Sequence, residues 1–296
     1  MNLLVTGGAG FIGSHFVDEL VKQGHKIKII DNLSTGRKEY LNPGAEFFES
    51  DIRDFEKIRP VFDGVEMVFH LAAQARIQPS IANPRESNGN NIDGTLNVLV
   101  AARDAGVKKV IYSASSSAYG LSPKLPLTED MPADCLSPYS LQKYVGELYM
   151  KLFYRLYKLN TVCLRYFNVY GPRQPLEGAY ATVIGIFLRQ KAKGEPLTIV
   201  GDGEQTRDFT YVGDIVRANI LASENPKAGG GEVINIGSGK NYSINQIAAF
   251  IDNPTVNIPP RDGEARDTLA DIGKAKELLG WEPRVHIEEG IKNCRA

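Results

Sequence analysis

The sequence predicts an α/β protein, a doubly wound parallel sheet with a smaller C-terminal α+β lobe. Two observations carry that prediction. The chain opens with a short apolar run, a glycine-rich turn, an amphipathic helix, a second apolar run and an acid. Strand and helix patterns then alternate to about residue 165, beyond which short apolar runs alternate with Gly, Pro and charged residues. In order, Leu3-Leu4-Val5 reads as a buried strand and Gly7-Gly8-Ala9-Gly10-Phe11-Ile12-Gly13 as the turn. A helix over roughly 13–23 carries Phe16, Val17 and Leu20 on its apolar face. Lys26 to Ile30 is a second strand ending at Asp31, and Glu46–Glu49, Met67–His70, Val110–Tyr112 and Val162–Arg165 are further strands.

The turn has the chemistry of a dinucleotide site. Gly7 permits the tight bend, and Gly13 allows close helix–strand packing. Gly10 lets a pyrophosphate approach the backbone at the helix N-terminus, where unpaired N–H groups and the helix dipole favour an anion. The spacing is G-x-x-G-x-x-G, one residue wider than G-x-G-x-x-G. Asp31 stands 18 residues past Gly13, placed to bond both ribose hydroxyls. A carboxylate there repels a 2′-phosphate, so the expected cofactor is NAD rather than NADP, although Arg37 lies nearby. Asp51 and Ile52 are placed to meet an adenine edge, and the small residues of Leu71-Ala72-Ala73 let backbone lie against the cofactor. The expected cofactor set is therefore Gly7, Gly10, Phe11, Ile12, Gly13, Asp31, Asn32, Asp51, Ile52, Leu71, Ala72 and Ala73, with Tyr139 and Lys143. His70 reads as a structural residue at a strand end. A Rossmann-type domain is expected over 1–165, with a later segment at about 205–240 returning to it, and residues 166–296 mainly form the second lobe.

Tyr139-Ser140-Leu141-Gln142-Lys143 places a phenol and an ammonium one helical turn apart, on one helix face. Free tyrosine titrates near pH 10, too high for a base at neutral pH. A lysine cation about 5 Å away, at an effective dielectric of about 20, would favour the phenolate by about 3 kcal/mol, a drop of about 2 in pKa. That brings the phenol towards the range where it takes a proton from an alcohol.

Composition excludes several other classes. The formal net charge is −1, so no global field recruits nucleic acid or a membrane surface. No apolar run reaches the length of a membrane span, and Met1-Asn2-Leu3-Leu4-Val5 has no basic segment ahead of an apolar run. Cys135, Cys163 and Cys294 are odd in number and lack metal-ligand spacing, so no metal is expected. They read as reduced thiols of a cytoplasmic protein.

Taken together, the glycine turn, Asp31, Leu71-Ala72-Ala73, the Ser115/Tyr139/Lys143 set and Arg165-Tyr166-Phe167-Asn168 resemble the extended short-chain dehydrogenase/reductase family. Within it the chain is similar to the NAD-dependent nucleotide-sugar epimerases, from residue 2 to about 285. The resemblance implies that Ser115 bridges the sugar O4 and the Tyr139 oxygen, and that Lys143 bonds the nicotinamide ribose. Related 4,6-dehydratases carry Asp-Glu at the next two positions, and decarboxylases carry a Glu at the second. Here these are Ser116 and Ser117, which do not titrate usefully. What remains suffices for oxidation and reduction at one carbinol.

For the second lobe the resemblance implies a UDP-sugar site. Arg207 and Arg261 clamp the diphosphate, Glu264 meets the nucleoside ribose, and Ala179–Val183 flanks the uracil. Ser116, Asn168 and Gln174 match polar residues lining the pocket of epimerases that act on N-acetylhexosamines. Thr268 occupies a position facing the C2 substituent, where a small residue leaves room for an N-acetyl group. UDP-GlcNAc/UDP-GalNAc interconversion is therefore expected, with UDP-Glc/UDP-Gal as a further pair. A UDP-glucuronate 4-epimerase, a dehydratase or decarboxylase, and a non-catalytic nucleotide sensor are the alternatives. The family habit also implies a homodimer, with Tyr144, Leu148, Tyr149 and Leu152 beside the Tyr/Lys pair as its face or as core. The stretch 248–260 looks short for a helix plus a strand, and only 287–296 remain for a final helix.

Overall fold

Alternate residues of the first strand enter opposite apolar layers, and that split organises the larger part of the molecule. In β1 (Asn2–Thr6), Leu3 and Val5 join one buried cluster and Leu4 the other. The computed structural model describes residues 1–121, 124–178, 181–260 and 265–294. With β2 (Lys26–Asp31), β3 (Ala45–Glu49), β4 (Met67–His70), β5 (Lys109–Ser115), β6 (Asn160–Tyr166) and a last strand Gly230–Ile236, β1 forms a seven-stranded sheet. All its pairings are parallel, in the order Gly230–Ile236, β6, β5, β4, β1, β2, β3. The order reverses between β1 and β4, which opens a crevice at their carboxyl ends, the usual ligand position in such sheets.

One face of the sheet is covered by the helices Phe11–Lys22, Val212–Glu224 and Gly273–Leu279, with the fully buried Trp281. Trp281 donates its indole N–H to the Asp214 carbonyl at 2.9 Å, satisfying the one polar atom that its burial would strand. The other face is covered by the helices Gly94–Asp104 and Pro138–Tyr157. The helix Val212–Glu224 and strand Gly230–Ile236 thus lie on the large sheet, although the chain has by then passed through the second lobe.

That lobe has its own core of Tyr170, Ile184, Phe187, Leu197, Ile199, Phe209, Ile247 and Ile291, among others. Its helices are Val183–Ala192, Ile244–Ile251 and Ile287–Asn293, and its strands Leu197–Val200 and Thr255–Ile258 pair in parallel. The stretch 248–260 accommodates a helix end and a strand because the helix begins four residues earlier, at Ile244, where Ser243 and Gln246 cap it reciprocally. Among the described residues no helix is long and apolar enough to cross a membrane.

Two boundaries differ from the sequence expectation in ways that matter to the site. The first helix begins at Phe11, because extended Gly10 (φ −81°, ψ 177°) ends the turn. Strand β5 runs to Ser115 rather than stopping near Tyr112, which carries Ser115 to the crevice.

The helix Pro138–Tyr157 approaches β5 so closely that a Cβ at Gly146 would lie 2.3 Å from the Tyr112 hydroxyl oxygen. Gly146→Ala is expected to destabilise the protein by about 1–3 kcal/mol, the usual cost of overpacking. Urea denaturation followed by circular dichroism checks it, and an unchanged midpoint would show that the helix stands further off.

Candidate active site

Pro138 supplies a preset φ at the first position of the long helix, and Ser137 and Ser140 close a capping box before it. This fixes where the helix starts, and hence where Tyr139 and Lys143 point. Lys143 is buried, with its ammonium 4.4 Å from the centre of the Tyr112 ring. Burial lowers it to about 7, against the pull of Glu147 one turn further on. Glu147 accepts two hydrogen bonds from Arg165 of β6, from Nε at 2.8 Å and Nη2 at 2.7 Å. Burial opposes the Arg165 charge, but the Glu147 bonds more than restore it and raise its pKa. Arg165 also lies over the Tyr119 ring at 4.6 Å, and Tyr119 donates to Asn235 at 2.7 Å.

Ser115 stands at the end of β5, its Oγ 2.9 Å from that of Ser117, and it lies beside the Tyr139 phenol. Burial raises the Tyr139 phenol above its ordinary value, while Ser115 and the charge of Arg76 draw it part of the way back. Lys143 faces the Tyr112 ring, and for the phenol burial outweighs the groups that lower it.

Around the glycine turn, a Cβ at Gly7 would meet the Ala72 nitrogen at 2.7 Å and one at Gly13 the Gly7 carbonyl oxygen at 2.1 Å. Glycine is therefore required at both positions. Asp31 accepts the Ala9 N–H at 3.0 Å on one oxygen and the Leu33 N–H at 2.8 Å on the other. Each oxygen keeps a second lone pair for a ribose hydroxyl. Asn32 donates to Asp51 at 2.8 Å, and Arg53 grips Asp51 through Nε and Nη2, holding its carboxyl down at about 2. The Ile52 side chain is buried in the core, so only its backbone could serve a ligand. His70 lies fully buried between the hydroxyls of Thr6 (2.7 Å) and Thr95 (2.9 Å), and burial with the Lys143 charge lowers it to about 3. It is neutral and structural. These residues fit a dinucleotide, since no side chain caps the first helix and its leading N–H groups are left for an anion.

A cavity of about 430 Å³ joins the two halves of the molecule. Phe11, Ile12, Leu71 and Ala73 line it at one end, Ser115, Ser116, Tyr139 and Lys143 in the middle, and Asn168, Arg207 and Thr268 at the other. Asn168 donates to the Asp208 carbonyl at 3.0 Å and to the Thr268 hydroxyl at 3.4 Å, so the two meet at the wall. Arg207 donates to the Thr206 and Arg266 carbonyls. Gln174 is not brought to this wall. It is buried, and its side-chain oxygen accepts the Thr182 hydroxyl at 2.7 Å, bracing the start of the next helix. Arg261 and Glu264, with Ala179 and Tyr180, lie outside the described residues.

Sequence reading passed over Arg76, which lines the cavity, and Asp208, a buried carboxylate accepting from Ser238, Gly239 and Ala270. A charged residue soon after the small-residue run at the end of β4 was the available signal for the first. Nothing local marks the second.

The model of the NAD dependent epimerase/dehydratase family matches residues 3–237. The chain belongs to that family. A UDP-glucose 4-epimerase from Mycolicibacterium smegmatis is 39% identical over 310 residues, spanning 98% of this chain and 96% of that protein. Among solved structures, a UDP-glucose 4-epimerase from Thermotoga maritima with UDP-glucose superposes with a TM-score of 0.96 at 45% identity, covering 100% of this chain and 97% of that one. A UDP-N-acetylglucosamine 4-epimerase from Methanobrevibacter ruminantium, in complex with UDP-N-acetylmuramic acid, gives a TM-score of 0.94 at 40% identity, covering 99% and 96%. The family is NAD-dependent, in keeping with the Asp31 carboxylate at the end of β2.

A depressed lysine has a pH signature. Below about 7 the buried Lys143 ammonium costs stability, and the cost is relieved as pH rises towards the unfolded value of 10.5. Lys143→Met is therefore expected to gain most over the parent near pH 7 and less near pH 10, read as the difference in melting temperature. A difference that does not change with pH would contradict the lowered value.

Proposed function

We propose that the chain inverts the C4 carbinol of a UDP-hexose, with UDP-GlcNAc/UDP-GalNAc as the preferred pair and UDP-Glc/UDP-Gal as a second. One observation carries the reading: Ser115, Tyr139 and Lys143 converge on the cavity, while Ser116 and Ser117 stand where an added acid and base would be needed. Such a site can move a proton on and off one oxygen but has no group there to expel water or carbon dioxide.

NAD, when bound, supplies the hydride acceptor and donor at C4. Gly10, Phe11 and Ile12 would hold its pyrophosphate, Asp31 its adenosine ribose and Lys143 its nicotinamide ribose. Tyr139 as phenolate takes the O4 proton, with the Ser115 hydroxyl as the bridge between the two oxygens. The planar 4-keto sugar turns about its diphosphate, which Arg207 and Arg261 clamp with Glu264 on the ribose, and is reduced on its other face. Tyr139 then returns the proton. Asn168 and Thr268 leave the C2 side lined by small polar groups, which supports an N-acetyl substituent there.

Proton NMR of separate incubations with UDP-GlcNAc, UDP-Glc and UDP-GlcA tests this. An equal-mass C4 epimer, formed fastest from UDP-GlcNAc and lost in Tyr139→Phe while NAD binding survives, is the expected result. A product of lower mass would overturn the reading of Ser116 and Ser117, and conversion of UDP-GlcA alone would overturn the sugar assignment.

We also propose a homodimer through the long helix. Leu148 and Leu152 are 49% and 42% exposed, and Leu141 and Leu156 extend the same apolar face. Tyr144 and Tyr149 are partly covered beside them. Light scattering should give twice the chain mass of 32.5 kDa for the parent and about the chain mass for Leu148→Glu/Leu152→Glu. A parent that runs as a monomer removes the proposal.

A further inference from the structure

Asp208 is a fully buried carboxylate on the short strand Thr206–Asp208. Successive side chains of a strand point to opposite faces. Arg207 lines the cavity, and its neighbour Asp208 turns the other way, into the protein. There its two oxygens gather backbone N–H groups from two segments. One oxygen accepts the Ser238 N–H at 2.6 Å, with the Ser238 hydroxyl 2.7 Å away. The other accepts the Gly239 and Ala270 N–H groups, each at 3.0 Å. Ser238 and Gly239 lie in the loop that leaves the last strand of the large sheet, and Ala270 lies two residues past Thr268. The two segments pack tightly here. A Cβ at Gly237 would lie 2.4 Å from the Ala270 Cβ and 2.9 Å from the Asp208 carboxylate.

The backbone of Asp208 serves the cavity wall. Its carbonyl accepts the Asn168 amide at 3.0 Å, and its N–H donates to the Thr268 hydroxyl at 3.3 Å. Both partners line the cavity. One residue thus bonds two wall side chains through its backbone and, through its carboxylate, holds the segment that carries one of them. That segment's other bonds run to Thr206 and Leu127: Asp267 accepts the Thr206 hydroxyl at 2.7 Å, and the Leu269 carbonyl accepts the Leu127 N–H at 2.7 Å. Asp208 adds the tie to the large sheet.

We propose that Asp208 is a positioning residue for the sugar: its buried carboxylate ties the wall formed by Asn168 and Thr268 to the large sheet, and so sets the fit of the cavity around the hexose. That the ligand carries a hexose rests on the epimerase reading; the hold on the wall does not. A carboxylate suits the place because both its oxygens accept, whereas the amide of an asparagine offers one acceptor and sets an N–H group against the donors on the other side. With that oxygen lost, at least one backbone N–H is left buried without a partner, and the segment it belongs to is released.

The experiment compares the full-length protein with Asp208→Asn, which keeps one acceptor oxygen, and Asp208→Ala, which keeps none. Melting temperatures are taken first, and every other measurement is made well below the lowest of them. Titration calorimetry gives the affinities for UDP, UDP-Glc and UDP-GlcNAc, with each NAD-loaded protein also carrying Tyr139→Phe so that no turnover intervenes. Steady-state C4 epimerisation without that change gives kcat and KM. Asp208→Asn is expected to weaken UDP-GlcNAc about tenfold, UDP-Glc less and UDP by no more than about twofold, with KM raised and kcat held within about twofold. UDP is spared because Arg207 is held by the Thr206 and Arg266 carbonyls rather than by Asp208. Asp208→Ala should act in the same direction and more strongly.

Equal losses for UDP and both UDP-sugars overturn the proposal, because a general brace loosens all binding alike, and unchanged affinities in both variants overturn it as well. A lowered kcat at unchanged KM does the same, since it would connect Asp208 to the chemical step. If neither variant folds, Asp208 belongs to the fold and the proposal falls. A parent that binds UDP-GlcNAc but epimerises no UDP-hexose ends the proposed function, while the calorimetry still decides the role of Asp208.

Discussion

The site depends on one close contact, the seating of the helix Pro138–Tyr157 against β5 and β6. Gly146 lets the helix backbone reach the Tyr112 hydroxyl, where any side chain would collide. The bidentate Glu147–Arg165 pair then ties the same helix turn to β6 inside the protein. Buried pairs of this kind add little net stability, because desolvating both ions offsets their attraction. Their geometry is demanding, however, and only one placement of the helix along the sheet satisfies both hydrogen bonds. Tyr139 and Lys143, two turns and one turn earlier, inherit that placement. The rest of the catalytic arrangement follows from it: Ser115 reaches the phenol because β5 ends there, and Asn91 and Ser80 find partners on the helix because it lies where they can reach.

The two halves of the cavity are built by different means. At the nucleotide end the backbone does most of the work, through glycines at points of contact and an uncapped helix start. A dinucleotide looks alike to every enzyme that binds it, and backbone N–H groups suffice to recognise a pyrophosphate. At the opposite end, where we propose that the sugar lies, the wall is made of side chains drawn from distant parts of the chain. Asn168 and Thr268, which bond each other, are 100 residues apart. Specificity can therefore change there by substitution without disturbing the sheet.

This division explains what could be read from the sequence. The glycine turn and Asp31 fall within one strand–helix–strand unit, and Tyr139 and Lys143 within one helical turn, so spacing alone locates them. The parallel sheet was equally legible, because strands buried on both faces leave short apolar runs at regular intervals. Placement that depends on tertiary packing was not legible. Gln174 has a polar side chain that suits a sugar pocket, yet the fold turns it inward to Thr182. The lowered Lys143 follows from its burial above Tyr112, a residue 31 positions away that helical spacing does not reveal. Arg76 was missed for the same reason, since its neighbours are fixed by partners on the long helix.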